Sequence, residues 1–240
     1  MKIEATTTLG AVAAQSLHAV RLLEREGFDY CCGGRQTLEQ ACAAKGMDWA
    51  QFAHAIEAAA PASPVPGDDW NTSSLAALVD HIVASHHAFL RREFPRLRQE
   101  LSRVQRAHAK DLPVLGPLDK VFSALEEELD QHMLKEEQIL FPFLRKMEAD
   151  VEAHRRPAPM PFGSLQNPIR MMLREHEDAG QALAEIRRLT ADFKPPAHAC
   201  PTYRALWAGL AEFEADLHQH IHLENNILFP RGLEMEASQS

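Results

Sequence analysis

The sequence lacks the features that would place it in a membrane or on nucleic acid. No run of 18 or more apolar residues occurs, which argues against a membrane-spanning helix. Lys and Arg total 25 against 34 for Asp and Glu, and the resulting charge of −9 repels phosphate backbones. The N-terminal residues contain no apolar stretch of the secretory type. We therefore expect a cytoplasmic protein with no membrane or nucleic-acid partner.

Cysteine is also scarce, with four residues in the 240-residue chain: Cys31, Cys32, Cys42 and Cys200. In a reducing compartment such residues are thiols rather than a disulfide framework. Cys31 and Cys32 are neighbours, and a disulfide between neighbours demands a strained backbone. We expect both to be free.

Strand patterns are nearly absent, whereas apolar residues recur at i, i+3, i+4 and i+7 along most of the chain. This periodicity predicts an all-α protein. Residues 1–60 are predicted to form a small helical domain. Its expected helices are Leu9–Arg25, Thr37–Lys45 and Asp48–Ala60.

A proline-rich segment follows, and we place a stiff linker at 61–69 because three prolines fall within seven residues. Residues 70–235 are then expected to form a four-helix bundle of up-down-up-down topology, because the long helices are joined by short loops. The helices are expected from 71–74 to Ala109 (A), with a kink at Pro95, from Pro117 to Asp150 (B), bent at Pro142, from Leu165 to Phe193 (C) and from Tyr203 to Phe229 (D).

The strongest signal is an internal repeat that links helices B and D. The segments HMLKEEQILFP, from His132, and HIHLENNILFP, from His220, match at six of eleven positions and start 88 residues apart. Both contain a histidine with a glutamate four residues later, Glu136 and Glu224. Side chains at i and i+4 share one helix face, so each pair can reach one metal ion.

Helices A and C each supply a further histidine at a corresponding distance. His87 lies 45 residues before His132, and His176 lies 44 residues before His220. A single copy of the pattern would fit a solvated surface pair. Its duplication before an apolar Ile-Leu-Phe run favours a buried metal site, because burying such groups together is costly without pairing or a metal.

Four imidazoles and two carboxylates suit a two-metal centre bridged by glutamate, with positions left open for water, oxo or small molecules. This mixed nitrogen and oxygen ligation favours iron, with manganese or zinc as substitutes. The absence of thiolates from the set argues against a structural zinc site or an iron–sulfur cluster.

The motifs resemble those of the di-iron proteins of the repair-of-iron-centres family, the YtfE/ScdA type. They are DYCCGG, DHI-x4-H, EEL-x2-HM-x2-EEQILFP, EH-x2-AG and H-x3-ENN-x-LFP, and they span nearly the whole chain. The resemblance implies a hemerythrin-like C-terminal domain holding two oxo- and carboxylate-bridged iron ions, with Glu136 and Glu224 bridging. The implied iron ligands are His87, His132, Glu136, His176, His220 and Glu224.

The resemblance also implies an activity, the repair of iron–sulfur clusters damaged by nitric oxide or oxidants, by donation of iron. The implied partners are damaged iron–sulfur proteins and the gases nitric oxide and oxygen. Two alternatives stay open: a di-iron nitric oxide or peroxide reductase, and a hemerythrin-like oxygen or nitric oxide sensor without turnover. The sequence does not decide whether the chain is an enzyme, or whether it is a monomer or a dimer.

Several further residues are candidates for supporting roles. His86 adjoins His87 and could replace it as the ligand, although one of two neighbouring helical residues should face the core. His218 and His222 flank His220 and are expected at the surface or behind the ligands. Carboxylates beside ligand histidines commonly orient the imidazole. The candidates for this role are Glu128, Glu175 and Asp216, and the candidate transfer thiols are Cys31 and Cys32.

Overall fold

The computed structural model describes residues 2–15, 17–59, 70–108, 110–155, 157, 161–197 and 199–239. Within these ranges the chain is helical, and β-structure is confined to one isolated bridge between Thr8 and Thr37. The predicted all-α class is therefore confirmed. The predicted linker at 61–69 lies outside the described residues. No described helix combines the length and the apolar character that crossing a membrane requires.

The N-terminal helices are α1 (Leu9–Ala13), α2 (Leu17–Arg25), α3 (Leu38–Ala44) and α4 (Trp49–Ala59). The prediction of one helix over Leu9–Arg25 was wrong, because the chain turns after α1. The side-chain amide of Asn71 donates a hydrogen bond of 2.7 Å to the Ala14 carbonyl, which a continuous helix would use internally.

The C-terminal helices contain three π-helical segments, which the sequence analysis did not predict. In chain order they are α5 (Leu75–His81), π1 (Ile82–His87), α6 (Ala88–His108), α7 (Leu115–Lys135), π2 (Glu136–Leu140), α8 (Phe141–Glu152), α9 (Gln166–Leu189), α10 (Pro201–Leu223), π3 (Glu224–Leu228) and α11 (Phe229–Ala237). Helix α6 continues through Pro95.

The described residues divide into two compact units, of which the second comprises those of 80–143 and 160–218. Its helices form the predicted up-down-up-down bundle. His86 contacts Asp216 and His108 contacts Cys200, so the A and D helices run antiparallel. Helices A and B are also antiparallel, as the contacts Arg98–Glu126 and Gln105–Leu115 show. Helices C and D are antiparallel as well, with contacts between Arg187 and Glu214 and between Thr190 and Trp207.

The core of this bundle is centred on three buried phenylalanines from three helices. The ring centroids of Phe94, Phe122 and Phe213 lie 5.2–5.7 Å apart. Full burial of each ring contributes about 1.5–3 kcal/mol, so this triad fixes the helices beside the histidine layer.

The first unit comprises the described residues of 1–79, 144–159 and 219–240. A buried carboxylate of this unit, that of Glu148, caps the start of helix α5. Glu148 accepts hydrogen bonds from the backbone N–H groups of Leu75 and Ala76, at 2.6 and 2.8 Å. These are otherwise unsatisfied donors at the start of α5, and a negative charge there also favours the helix dipole.

We predict that Glu148→Ala lowers the free energy of unfolding by about 1–3 kcal/mol, because two buried donors lose a charged acceptor. Urea unfolding followed by circular dichroism measures this change. Glu152→Ala, at an exposed position of the same helix, is the control and should change stability by less than about 0.5 kcal/mol. Equal effects of the two substitutions would contradict the capping role.

Candidate metal centre

Glu136, at the start of π2, lies between two imidazoles of the bundle. Its Oε2 is 3.4 Å from Nε2 of His87, and its Oε1 is 3.3 Å from Nε2 of His132. All three side chains are almost completely buried. Because each carboxylate oxygen faces a different imidazole, the group is placed as a bridging carboxylate would be.

His132 and His176 approach each other from helices α7 and α9. Their Nε2 atoms lie 3.0 Å apart, and both atoms fall within 4.8 Å of a Glu136 oxygen. Two ligands at right angles on a metal with bonds of about 2.1 Å are separated by about 3.0 Å. The spacing of these two nitrogen atoms therefore fits neighbouring positions on one metal ion.

The outer imidazole nitrogens of His132 and His87 each contact a carboxylate. Nδ1 of His132 lies 2.8 Å from Glu175, and Nδ1 of His87 lies 2.7 Å from Glu137. A proton held on Nδ1 leaves the Nε2 lone pair available towards the interior. Both imidazoles are thereby set in the tautomer that a metal ligand requires.

Glu175 stays ionised in this arrangement. Burial raises the pKa of its carboxyl, but the hydrogen bonds from His132 and Lys135 outweigh burial and lower the pKa to about 2. Glu137 is paired with a cation in the same way, since Arg91 lies 2.9 Å away.

The other candidate supporting residues lie elsewhere. Asp216 is 3.0 Å from Nδ1 of His86, and Glu128 is exposed in a nearby cleft. His86 and His87 are both buried, contrary to the expectation for neighbouring helical positions. Of the two, His87 faces Glu136.

Sequence reasoning missed Glu137. The signal that could have identified it is the Glu136–Glu137 dipeptide. Neighbouring residues of a helix project about 100° apart, so Glu137 can reach the outer side of a neighbouring helix when Glu136 faces the core.

The second His–Glu pair of the repeat lies in the first unit. Nε2 of His220 is 3.2 Å from Oε1 of Glu224, and neither side chain is exposed. His218 is half-buried, whereas His222 is buried with its ring against Tyr30. Burial lowers the pKa of His222 to about 4, so this imidazole is neutral near pH 7.

Two of the π segments begin at the glutamates of the repeat. Glu136 opens π2 and Glu224 opens π3. In both copies the backbone N–H of the following phenylalanine, Phe141 or Phe229, bonds to the carbonyl of that glutamate five residues earlier. His87 ends π1. π-Bulges occur frequently at functional sites because they insert one residue into a helix.

The donor set fits a metal. The buried imidazole nitrogens and carboxylate oxygens converge at distances typical of neighbouring ligands, and no thiol belongs to the set. Such a set suits iron, manganese or zinc, and burying it without a cation would be costly. The chain thus contains buried His/Glu sites suited to binding a metal ion.

A cleft of about 470 Å³ reaches His132 between helices α7 and α9. Four carboxylate side chains line it, namely Glu127, Glu128, Glu175 and Asp178. Lys135 also lines the cleft, so its lining carries a net negative charge, which attracts cations.

The candidate thiols lie in the first unit, in the loop between α2 and α3. Cys31 is buried and Cys32 is half-exposed, and both are free thiols. The neighbouring Cys32 thiol and burial raise the pKa of Cys31 well above its usual range. Cys31 is therefore a protonated thiol near pH 7 rather than a ready nucleophile.

The C-terminal helix anchors this loop. The side-chain amides of Asn225 and Asn226 each donate a hydrogen bond of 3.1 Å, to the carbonyls of Cys31 and Tyr30. Gly34 allows the close approach of the helix, because a Cβ there would lie 3.0 Å from Oδ1 of Asn226. The loop is thus fixed to the residues that directly follow Glu224.

Comparison with known proteins identifies the family of the chain. Residues 78–231 match the family described as Hemerythrin HHE cation binding domain, and residues 5–60 match ScdA_N, a Domain of Unknown function (DUF542). The Iron-sulfur cluster repair protein YtfE of Citrobacter koseri is 40% identical over 228 residues, which cover 94% of this chain and 96% of that protein.

The protein of the same name from Escherichia coli O157:H7 is 38% identical over 226 residues, with the same two coverages. The resemblance noted in the sequence is thereby confirmed. The chain belongs to the hemerythrin HHE cation-binding family and, along nearly its whole length, to the family of the iron–sulfur cluster repair proteins YtfE.

Proposed function

We propose that the chain binds two iron ions and uses them to repair iron–sulfur clusters damaged by nitric oxide or oxidative stress, by donating iron. The observation that carries the proposal is Glu136, whose two oxygens face two different imidazoles. The names of the relatives supply the substrate class, because they are iron–sulfur cluster repair proteins.

The proposed ligand set joins the two copies of the repeat with one histidine from helix A and one from helix C. Glu136 and Glu224 bridge the two ions. The terminal ligands are His87, His132, His176 and His220. Support comes from the duplication in the sequence and from the convergence of donor atoms within each unit.

Residues behind the ligands have a positioning role in this proposal. Glu175 and Glu137 hold protons on the outer nitrogens of His132 and His87, which keeps the inner nitrogens available. Iron bound by such nitrogen and oxygen donors supplies an exchangeable cation and, at open positions, a Lewis acid. Manganese and zinc are the expected substitutes.

The acidic cleft gives the donation model a physical route. It reaches His132, and its carboxylates can pass a cation between the site and solvent. We place the protein in the cytoplasm, with damaged iron–sulfur proteins as partners and nitric oxide and oxygen as the small molecules it meets.

We predict that His132→Ala combined with His220→Ala abolishes iron loading and leaves the helical content largely intact. Each copy of the repeat then lacks its imidazole, while the phenylalanine core is unchanged. Iron analysis per chain and circular dichroism measure the two outcomes. The matched control removes the exposed histidines His18 and His54 and should load iron normally. Full iron stoichiometry in the first variant would exclude the proposed ligand set.

We predict that Glu175→Gln weakens iron binding about 10- to 100-fold, the usual effect of losing a carboxylate behind a ligand histidine. Chelator competition measures the affinity. Glu177→Gln, at an exposed position two residues further along α9, should leave it unchanged. An unchanged affinity in Glu175→Gln would show that this carboxylate is not a positioning residue.

We predict that the iron-loaded protein restores activity to a dehydratase whose cluster nitric oxide has damaged, and that the iron-free protein does not. Replacing both Cys31 and Cys32 with Ala should preserve iron loading and slow this recovery. Multiple turnover of nitric oxide or peroxide with an electron donor, without cluster recovery, would instead identify a reductase. Reversible gas binding with neither outcome would identify a sensor.

A further inference from the structure

The loop between α2 and α3 holds a second cluster of metal-binding side chains, which shares no residue with the His/Glu set. One donor atom each from Asp29, Cys31 and Cys32 lies within 4.8 Å of the other two. Unlike the His/Glu set, this cluster contains two sulfur donors. A set with two thiolate sulfurs favours different metal ions from a set of imidazoles and carboxylates.

The distances in this cluster match the edges of a tetrahedron around a metal ion. Sγ of Cys31 lies 3.7 Å from Sγ of Cys32 and 3.5 Å from Oδ1 of Asp29. With metal–sulfur bonds of about 2.3 Å and metal–oxygen bonds of about 2.0–2.2 Å, the tetrahedral edges are about 3.8 Å and about 3.6 Å. Two edges of the triangle therefore already have the lengths of one coordination shell, and the third is below 4.8 Å.

The backbone around the cluster is held in place. The N–H of Cys32 donates to Oδ1 of Asp29 at 2.9 Å, and Asn225 holds the carbonyl of Cys31. Gly33 lets the chain fold back on itself, because a Cβ there would lie 2.8 Å from the Asp29 carbonyl oxygen. Binding would thus require little reordering of the loop, which favours affinity.

Part of the cluster is exposed to solvent, so an ion can reach its donor atoms. Cys31 is buried, Cys32 is half-exposed and Asp29 is exposed. A cation held by these three groups keeps its fourth position towards solvent, as in sites that exchange a ligand rather than in closed structural sites. When all three groups are ionised, the two thiolates and the carboxylate repel one another, and a bound divalent cation offsets that repulsion.

We infer that Asp29, Cys31 and Cys32 form a mononuclear site for Zn²⁺, a divalent cation of tetrahedral preference, with one open position. Coordination converts both thiols to thiolates and releases their two protons to solvent. The site is independent of the two-iron proposal, since no His/Glu ligand takes part in it.

Cobalt titration of the reduced, metal-free full-length protein tests this site. Co²⁺ replaces Zn²⁺ in tetrahedral sites, and only thiolate ligation produces sulfur-to-cobalt charge-transfer absorption, which histidine and carboxylate ligands cannot give. Because the His/Glu set also accepts divalent cations but gives no such band, we expect the band itself to saturate at the amplitude of one thiolate-bound Co²⁺ per chain. Excess Zn²⁺ should abolish it by displacing Co²⁺ from the loop.

Matched cysteine variants locate the site. Cys31→Ser and Cys32→Ser should each lose most of the band, and Asp29→Asn should keep it with roughly tenfold weaker binding. Cys200→Ser, in a loop of the bundle, should behave as the wild type. A band that is absent from the wild-type protein, or that survives Cys31→Ser combined with Cys32→Ser, would overturn the inference.

Folding and the bundle are monitored separately in the same samples. Circular dichroism should be unchanged in each variant, because the substituted side chains lie in a loop. His132→Ala combined with His220→Ala should keep the thiolate band. Loss of iron loading with retention of the band would separate the two sites, whereas loss of the band in this variant would show that the loop is not a site of its own.

Discussion

The cost of removing ionisable groups from water is the constraint on which the bundle depends. His87, His132 and Glu136 are buried among leucines and phenylalanines, where an isolated charge would be strongly disfavoured. The chain meets this cost with contacts on both sides of each ring. Carboxylates accept hydrogen bonds from the outer nitrogens, and the inner nitrogens face Glu136, an arrangement that suits a cation. The outer carboxylates are themselves paired with Lys135 and Arg91 at the surface.

This layered arrangement explains how a site of high charge density coexists with an ordinary helical core. The phenylalanine triad stabilises the helices without contributing polar atoms, and the histidine layer adds polar atoms without disturbing that triad. The acidic cleft reaches His132 from one side of this layer. The first unit likewise pairs its buried polar groups. Glu148 accepts a hydrogen bond from the backbone N–H at the start of α5, and Asn225 and Asn226 donate hydrogen bonds to the loop carbonyls.

Much of the fold could be predicted because the relevant signals are local and periodic. The four long helices follow from apolar spacing, and the His–Glu pairs follow from the repeat. The π segments could not be predicted, because a bond from i to i−5 leaves almost no trace in residue type. The break after α1 depends on Asn71, 57 residues from the carbonyl that it contacts. Glu137 escaped notice because its role depends on which neighbouring helix its side chain meets.

The two π segments of the repeat, π2 and π3, also limit how the length of this chain can vary. One residue added to or removed from a regular helix turns everything beyond it by about 100°. At Glu136–Leu140 the additional residue is already built in, so a deletion there would restore a regular helix and swing Phe141, whose ring stacks on His87, out of register. Insertions and deletions should therefore be tolerated in the connecting loops and rejected within the repeated eleven-residue stretch, whose length fixes the register between its buried glutamate and the phenylalanine that follows.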